Sequence, residues 1–321
     1  MLLRLDRGIA IDRRTGAVHP FGGGIDLEGG EAAASARWDV GAFHAQGPAE
    51  QYMRAVAQAR GYTHAGDIFQ ANVAHRLVAT MTGSARALAA ELFEKLDPSF
   101  PCYLELPEQE TTVVSVSPEL FLHAAPDTDG AWRVVTRPIK GTRAGAHSEG
   151  LARSRKDAAE LAMIVDLMRN DLGRVARGGS VKVDDARSIE VHHAGHIAHT
   201  VATVSAALRD GVSLGDLLRA TMPPGSVTGA PKVRALQIIE ELERPMFGGP
   251  RGAYCGGLGY LADGGGLTLN VGIRTLTIEQ DRISLPVGAG IVADSKPRAE
   301  WDETLAKAAP IVAALGSALS L

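Results

Sequence analysis

The chain has 321 residues, 45% of them hydrophobic, and its 33 basic and 37 acidic side chains leave a formal net charge of −4. That composition describes a globular chain of enzyme size and excludes disordered and low-complexity classes. Its length suffices to bury a core without disulfide or metal staples, and its basic residues are scattered instead of forming the cationic stripe that nucleic acid demands, so no nucleic-acid partner is expected.

Cys102 and Cys255 form no C-x-x-C pair, which leaves neither a disulfide framework nor a zinc knuckle. A reducing cytoplasm is the location expected from that cysteine usage, and Arg4 interrupts the apolar start, so no signal peptide is expected. The longest apolar stretch, Ala308 to Leu321, is broken by Pro310 and Gly316 and is too short to span a bilayer, so no membrane partner is expected.

In chain order, residues 1–45 show strand-like pieces (Leu2 to Leu5, Gly8 to Ile11) separated by glycine-rich turns. Helical spacing covers Glu50 to Ala65, Ile68 to Leu77 resembles a strand, and a second helix is predicted over Ser84 to Leu96. Strands are predicted at Thr111 to Val116, Leu120 to Ala124 and Trp132 to Ile139, the first two flanking Ser117-Pro118-Glu119. Apolar residues at 161, 164, 165, 168, 172 and 175 predict a long helix over Arg153 to Val175. After a strand at Val181 to Val183, helical patterns cover His199 to Leu208, Leu214 to Ala220 and Pro231 to Leu242. Strands at Tyr254 to Leu261, Leu267 to Leu276 and Ile283 to Val292 precede a closing helix at Ala299 to Leu315. Strands arrive in clusters joined by hairpin-like turns, so the fold class is α+β with mainly antiparallel sheets. One domain over 1–321 is expected, with residues 1–49 as a short strand region packing onto it.

Three glycine-rich stretches, at Gly225 to Lys232, Gly257 to Ala262 and Gly288 to Ala293, fail the context tests for nucleotide loops. His192, His193, His196 and His199 stand at helical spacings but lack companions with zinc spacing. Asp157 with Glu160, and Glu300 with Glu303, each place two carboxylates at i, i+3 on a predicted helix. Two such edges could supply hard oxygen ligands to Mg²⁺, or could be solvated helix faces. Lys140, in Pro138-Ile139-Lys140-Gly141-Thr142, becomes nucleophilic if apolar walls lower its pKa. Arg274 ends a strand-like run where its planar fork could clamp a carboxylate.

Together these segments resemble the chorismate-utilising enzymes, and within them the aminodeoxychorismate synthase component I branch. The matching stretches are Gly66-Asp-Ile-Phe-Gln70-Ala-Asn72, Ser117-Pro-Glu119, Pro138 to Arg143, Glu160 to Asp171, Pro224 to Lys232, Asn270 to Thr275 and Gly288 to Ser295, in family order. The resemblance implies two stacked, mainly antiparallel sheets flanked by helices, and a buried pocket holding chorismate on Mg²⁺. It implies Glu160 and Glu303 as metal ligands with Asp157 and Glu300 in support, and Glu119 as the acid that protonates the departing C4 hydroxyl. His199 matches a family histidine near the ring carboxylate. Gln70, Gly141, Thr142, Ser226, Thr228, Tyr254, Arg274, Gly288, Gly290 and Lys307 are implied as substrate-binding positions.

Gln70 stands where isochorismate and salicylate synthases carry a water-activating lysine, so ammonia is the expected incoming group. Lys140 stands where anthranilate synthases carry alanine and the aminodeoxychorismate enzymes carry lysine, which implies a covalent lysine step toward 4-amino-4-deoxychorismate, a precursor of 4-aminobenzoate and folate. Anthranilate synthase component I and a non-catalytic chorismate-binding subunit are the alternatives. No Gly-x-Cys-x-Gly nucleophile surrounds either cysteine, so ammonia is expected from a partner glutamine amidotransferase or from solution. With only about 50 residues ahead of the first motif, no tryptophan regulation is expected.

Overall fold

The structure is a computed structural model, and it describes residues 8–11, 18–21, 36–144, 148–192, 197–263 and 266–320. A hairpin of β1 (Gly8–Ile11) and β2 (Val18–Phe21) is followed by β3 (Trp38–Val40), β4 (His44–Ala45), α1 (Ala49–His64), β5 (Gln70–Gly83) and α2 (Ala85–Leu96). Next come β6 (Phe100–Leu106), β7 (Thr111–Ser117), β8 (Leu120–Pro126), β9 (Trp132–Arg137), β10 (Ile139–Ala144), α3 (Ser148–Arg153) and α4 (Arg155–Gly173). The chain continues through β11 (Lys182–His192), β12 (Ile197–Ala207), α5 (Leu214–Thr221), β13 (Gly229–Ala230) and α6 (Lys232–Phe247). It closes with β14 (Gly257–Leu261), β15 (Leu267–Val271), β16 (Thr275–Glu279), β17 (Arg282–Ile291) and α7 (Pro297–Ala314).

Two large sheets carry the fold. The eight-stranded sheet runs β13-β5-β17-β16-β7-β6, with β3 and β4 also paired to β5. The seven-stranded sheet runs β10-β12-β9-β8-β15-β14, with β11 also on β12. Every pairing between these strands is antiparallel, as the clustered strand pattern predicted. Helices α6 and α7 pack on β5 and β17, whereas α4 packs on β12. One apolar core joins β5, β8, β12, α1, α4 and α6, and a second lies under α2 and the end of α7.

Local chemistry explains the helix boundaries. Ser84 and Ser154 accept hydrogen bonds from Ala87 N and Asp157 N, capping α2 and α4. Ser213 and Asp216 form a reciprocal capping box on α5.

Several sequence expectations change, among them the predicted strand Leu267 to Leu276, which is divided into β15 and β16 on different sheets by the left-handed backbone of Arg274. The helical pattern over His199 to Leu208 is the strand β12, because Thr200, Val201, Thr203 and Val204 are β-branched and the alanines between them fit either element. The histidine spacing therefore belongs to two strands and not to a helix; His193 and His196 lie outside the described residues. The predicted strand Trp132 to Ile139 is divided into β9 and β10, which lie along one edge of β12. Pro138, which has no N–H to give a ladder, sits at the break and accepts from Ala202 N at 3.1 Å.

Candidate active site

The chain passes from one sheet to the other twice at adjacent places. β7 belongs to the eight-stranded sheet and β8 to the seven-stranded one, with Pro118 and Glu119 between them; β15 and β16 are divided in the reverse sense, with Arg274 between. Hydrogen bonds lock the two crossovers together: Ser117 Oγ donates to Val271 O at 2.6 Å, Val271 N to Glu119 O at 3.0 Å, and Val116 N to Arg274 O at 3.0 Å. Arg274 adopts a left-handed backbone with φ 51°, uncommon for a residue with a Cβ. Both candidate side chains, Glu119 and Arg274, thus arise where strand geometry is interrupted, between the sheets.

Glu119 is buried, and burial raises its carboxyl to about 7 despite a hydrogen bond from Ser226, the Lys140 charge and the Ile139 N–H. A carboxylic acid that holds its proton near neutral pH is suited to protonate a leaving group. Lys140 sits at a register shift in the β10–β12 ladder, paired with Thr200 while Thr142 pairs with His199. Gly141 makes the shift with φ +66°, and a Cβ there would stand 3.0 Å from Cγ of Asp157 and from Cδ2 of Leu151. Burial lowers the Lys140 pKa; Glu160, Glu119 and Glu303 oppose the shift as nearby negative charges, and Lys307 adds to it. The amine thus stands within electrostatic reach of α4, α7 and the Glu119 crossover. His199 is buried in the middle of the β10-β12-β11 ladder.

The opposite wall comes from β5 and β17. Gln70 is fully buried, and neither its amide oxygen nor its nitrogen has a hydrogen-bond partner among the described residues. Such a buried polar group calls for one. Gly290 lies over it, since a Cβ there would stand 2.9 Å from Gln70 Nε2. A Cβ on Gly288 would stand 2.8 Å from Tyr254 Oη. Lys307 donates to Gly288 O at 2.8 Å and pairs with Glu303 at 2.8 Å. Thr228 donates its hydroxyl to Pro224 O and Gly225 O, so it holds the turn that presents Ser226.

Among the described residues no three His, Cys, Asp or Glu side chains gather closely enough to hold a metal. Asp157 lies under Gly141, while Glu300 is buried and Glu303, 49% exposed, acts with it on the Tyr52 hydroxyl. Glu160 and Glu303 come from two different helices and both act on the Lys140 ammonium. This donor set suits Mg²⁺, a hard cation that commonly takes one or two carboxylates and completes its shell with waters and substrate oxygens.

Three open surface depressions, lined around Arg177 and Arg209, contain none of these residues. A cavity of about 40 Å³ does touch the site, through Pro118, His199 and Arg274. Thr142 is placed by its backbone alone. No helix among the described residues is long and apolar enough to cross a membrane.

Charged pairs that the sequence analysis did not single out support this wall. Lys232 Nζ binds Asp171 Oδ2 at 2.5 Å and the carbonyls of Thr221 and Pro223 at 3.0 Å each, fixing the base of the Ser226 turn. Arg251 and Glu243 form a second buried pair. Neither pair follows a helix or strand period, so patterning gave no signal for them.

Comparison with known proteins agrees with this geometry. The family model for chorismate binding enzymes matches residues 25–313. Aminodeoxychorismate synthase component 1 of Escherichia coli is 42% identical over 266 residues, 80% of this chain and 56% of that protein. Anthranilate synthase component 1 of Thermus thermophilus is 40% identical over 282 residues, 85% of this chain and 58% of that protein. The chain thus spans about half the length of these relatives. Among solved structures, anthranilate synthase component I from Streptococcus pneumoniae superposes with a TM-score of 0.79 at 27% identity, covering 95% of this chain and 72% of that one. With the sheet crossovers, the enclosed lysine and the family match together, the chain belongs to the chorismate binding enzyme family.

Proposed function

We propose that the protein is the chorismate-aminating component of an aminodeoxychorismate synthase, converting chorismate and ammonia to 4-amino-4-deoxychorismate. The observation that carries this reading is the enclosed Lys140 amine, its pKa lowered by burial, with Glu119 near enough to act on it. The relatives bear the names of two activities. A lysine at position 140 favours the aminodeoxychorismate branch, because anthranilate formation has no use for a nucleophile there. The designation "component 1" in those names supports a second subunit, for which a glutamine amidotransferase supplying ammonia is the fitting chemistry.

In this mechanism the neutral Lys140 amine forms a bond to C2 of the ring. The diene electrons move toward C4, the C4–O bond breaks, and Glu119 gives its proton so that water departs. Ammonia then bonds to C4, the electrons return, the C2–N bond breaks, and Lys140 is released as a free amine. The proton lost by the new ammonium restores Glu119. Two displacements in succession leave the configuration at C4 unchanged, and the enolpyruvyl group stays on the ring.

Arg274, Tyr254 and Lys307 hold the substrate carboxylates, and His199 stands by the ring carboxylate. Mg²⁺ would be held by Glu160 and Glu303, with Glu300 and Asp157 behind them, and when bound it supplies a Lewis acid. The Gln70 amide has no basic nitrogen with which to take a proton from water, which favours ammonia as the nucleophile.

Incubating the purified chain with chorismate, Mg²⁺ and ammonium tests the reading. A product that the downstream lyase converts to 4-aminobenzoate is expected. Fluorescent anthranilate with released pyruvate would assign the anthranilate synthase activity instead, and chorismate binding without turnover would assign a binding subunit.

A further inference from the structure

The β5 edge facing α6 carries strand partners only in part. β13 pairs with Gln70 and Ala71, and β4 pairs with Leu77 and Val78. Between them the backbone groups of β5 turn to other partners: Asn72 N donates to Thr228 O at 2.6 Å, Asn72 O accepts from Arg251 Nη2 at 2.6 Å, and Ala74 N donates to Glu243 Oε1 at 2.7 Å. Arg251 and Glu243 join through two hydrogen bonds, Nε to Oε2 at 2.7 Å and Nη2 to Oε1 at 2.5 Å, with side chains 16% and 5% exposed. The pair therefore takes the place of a missing strand.

It also reaches further than the gap requires. Arg251 Nη1 donates to Val227 O at 3.3 Å, between Ser226 and Thr228, and the guanidinium carbon stands 5.6 Å from the centroid of the Tyr254 ring. One ion pair thus touches three segments that form the pocket wall: β5 just after Gln70, the turn that presents Ser226 to Glu119, and the segment that sets Tyr254 against Gly288. A lysine could supply the charge but not this fork, because the arginine's donors point in fixed directions toward four acceptors.

We propose that Arg251 and Glu243 are positioning residues for the substrate pocket, holding Gln70, Ser226 and Tyr254 in the register that binds chorismate. This inference rests on the reading of the pocket given above. A pair that served folding alone could be exchanged for an uncharged one without consequence for the ligand, since buried ion pairs are often replaceable at little cost in stability.

Chorismate binding in the presence of Mg²⁺ and the absence of ammonia, measured with thermal melting, separates the two roles. The proteins are the wild type, Arg251→Lys, and the double variant Glu243→Gln/Arg251→Met, which removes both charges and keeps an acceptor for Ala74 N. The wild type is expected to bind. Both variants are expected to melt cooperatively, with chorismate affinity reduced on the order of 10-fold or more, the size of one lost buried hydrogen bond to a charged group. Affinity within about twofold of wild type in either folded variant, a change of about 0.4 kcal/mol or less, would overturn the proposal. So would failure of Arg251→Lys to fold, which assigns the pair to folding. A wild type that does not bind chorismate overturns the pocket reading itself, a distinct result.

Discussion

Arg251 and Lys140 are both buried cations near the same pocket, and the protein treats them in opposite ways. Burial depresses the Arg251 guanidinium, but Cys255 and the doubly bonded Glu243 more than offset that, so its pKa ends above the ordinary value. Burial depresses the Lys140 ammonium too, and there the carboxylates of Glu160, Glu119 and Glu303 do not restore it. The first cation is fixed by a fork of hydrogen bonds and remains charged. The second sits at a strand irregularity, opposed by Lys307, and is biased toward the neutral amine. The difference teaches that burial alone does not make a reactive group; the geometry of the nearest carboxylate decides whether the charge is locked or labile.

Replacing the labile member is expected to have the largest effect. Lys140→Ala should lower amination on the order of 10²-fold or more. Its melting temperature should not fall, because the variant removes a desolvated cation. Steady-state rates with ammonium and a thermal melt check both parts, and an unchanged rate would break the comparison.

The acid beside it offers a pH test. Folding raises the Glu119 carboxyl from 4.5 to about 7, so between these values the folded chain keeps a proton that the unfolded chain has released. Stability contributed by this residue therefore falls as pH rises through that window, by about 3 kcal/mol once pH exceeds 7. Glu119→Gln should flatten the fall in denaturant titrations from pH 5 to pH 8 while lowering the amination rate roughly 10²-fold or more.

Smaller effects sharpen the picture of the opposite wall. Gly288→Ala places a methyl 2.8 Å from Tyr254 Oη and 2.9 Å from Val73 O, so a loss of about 1–3 kcal/mol in stability is expected, with weaker chorismate binding. Lys307 is 42% exposed in its pair with Glu303. Lys307→Met should change stability by no more than about 1 kcal/mol, yet raise the KM for chorismate, a split that steady-state kinetics and melting resolve together.

Much of this arrangement is legible in the sequence because local chemistry specifies it. The 3.6-residue apolar period from 161 to 175 announces α4, and Ser117-Pro118-Glu119 between two alternating runs marks a strand interruption. What could not be read comes from long-range pairing. β12 looked helical because its alanines fit both elements, and only the ladders with β9, β10 and β11 decide the matter. Arg251 and Glu243 lie eight residues apart across a helix end, a spacing without a period, and they matter only because β5 leaves a gap beside them. The i, i+3 spacing puts Asp157 with Glu160 on one helix and Glu300 with Glu303 on another, but it could not tell that Asp157 turns under Gly141.

In the proposed reaction the amine of Lys140 forms a bond to the ring. Mass spectrometry of the protein incubated with chorismate and Mg²⁺ without ammonia, followed by peptide mapping, tests it directly. The expected result is a gain equal to chorismate less one water, located on the peptide that contains Lys140 and discharged when ammonium is added. Turnover of chorismate with ammonium, combined with no such adduct or with an adduct on another residue, would contradict it.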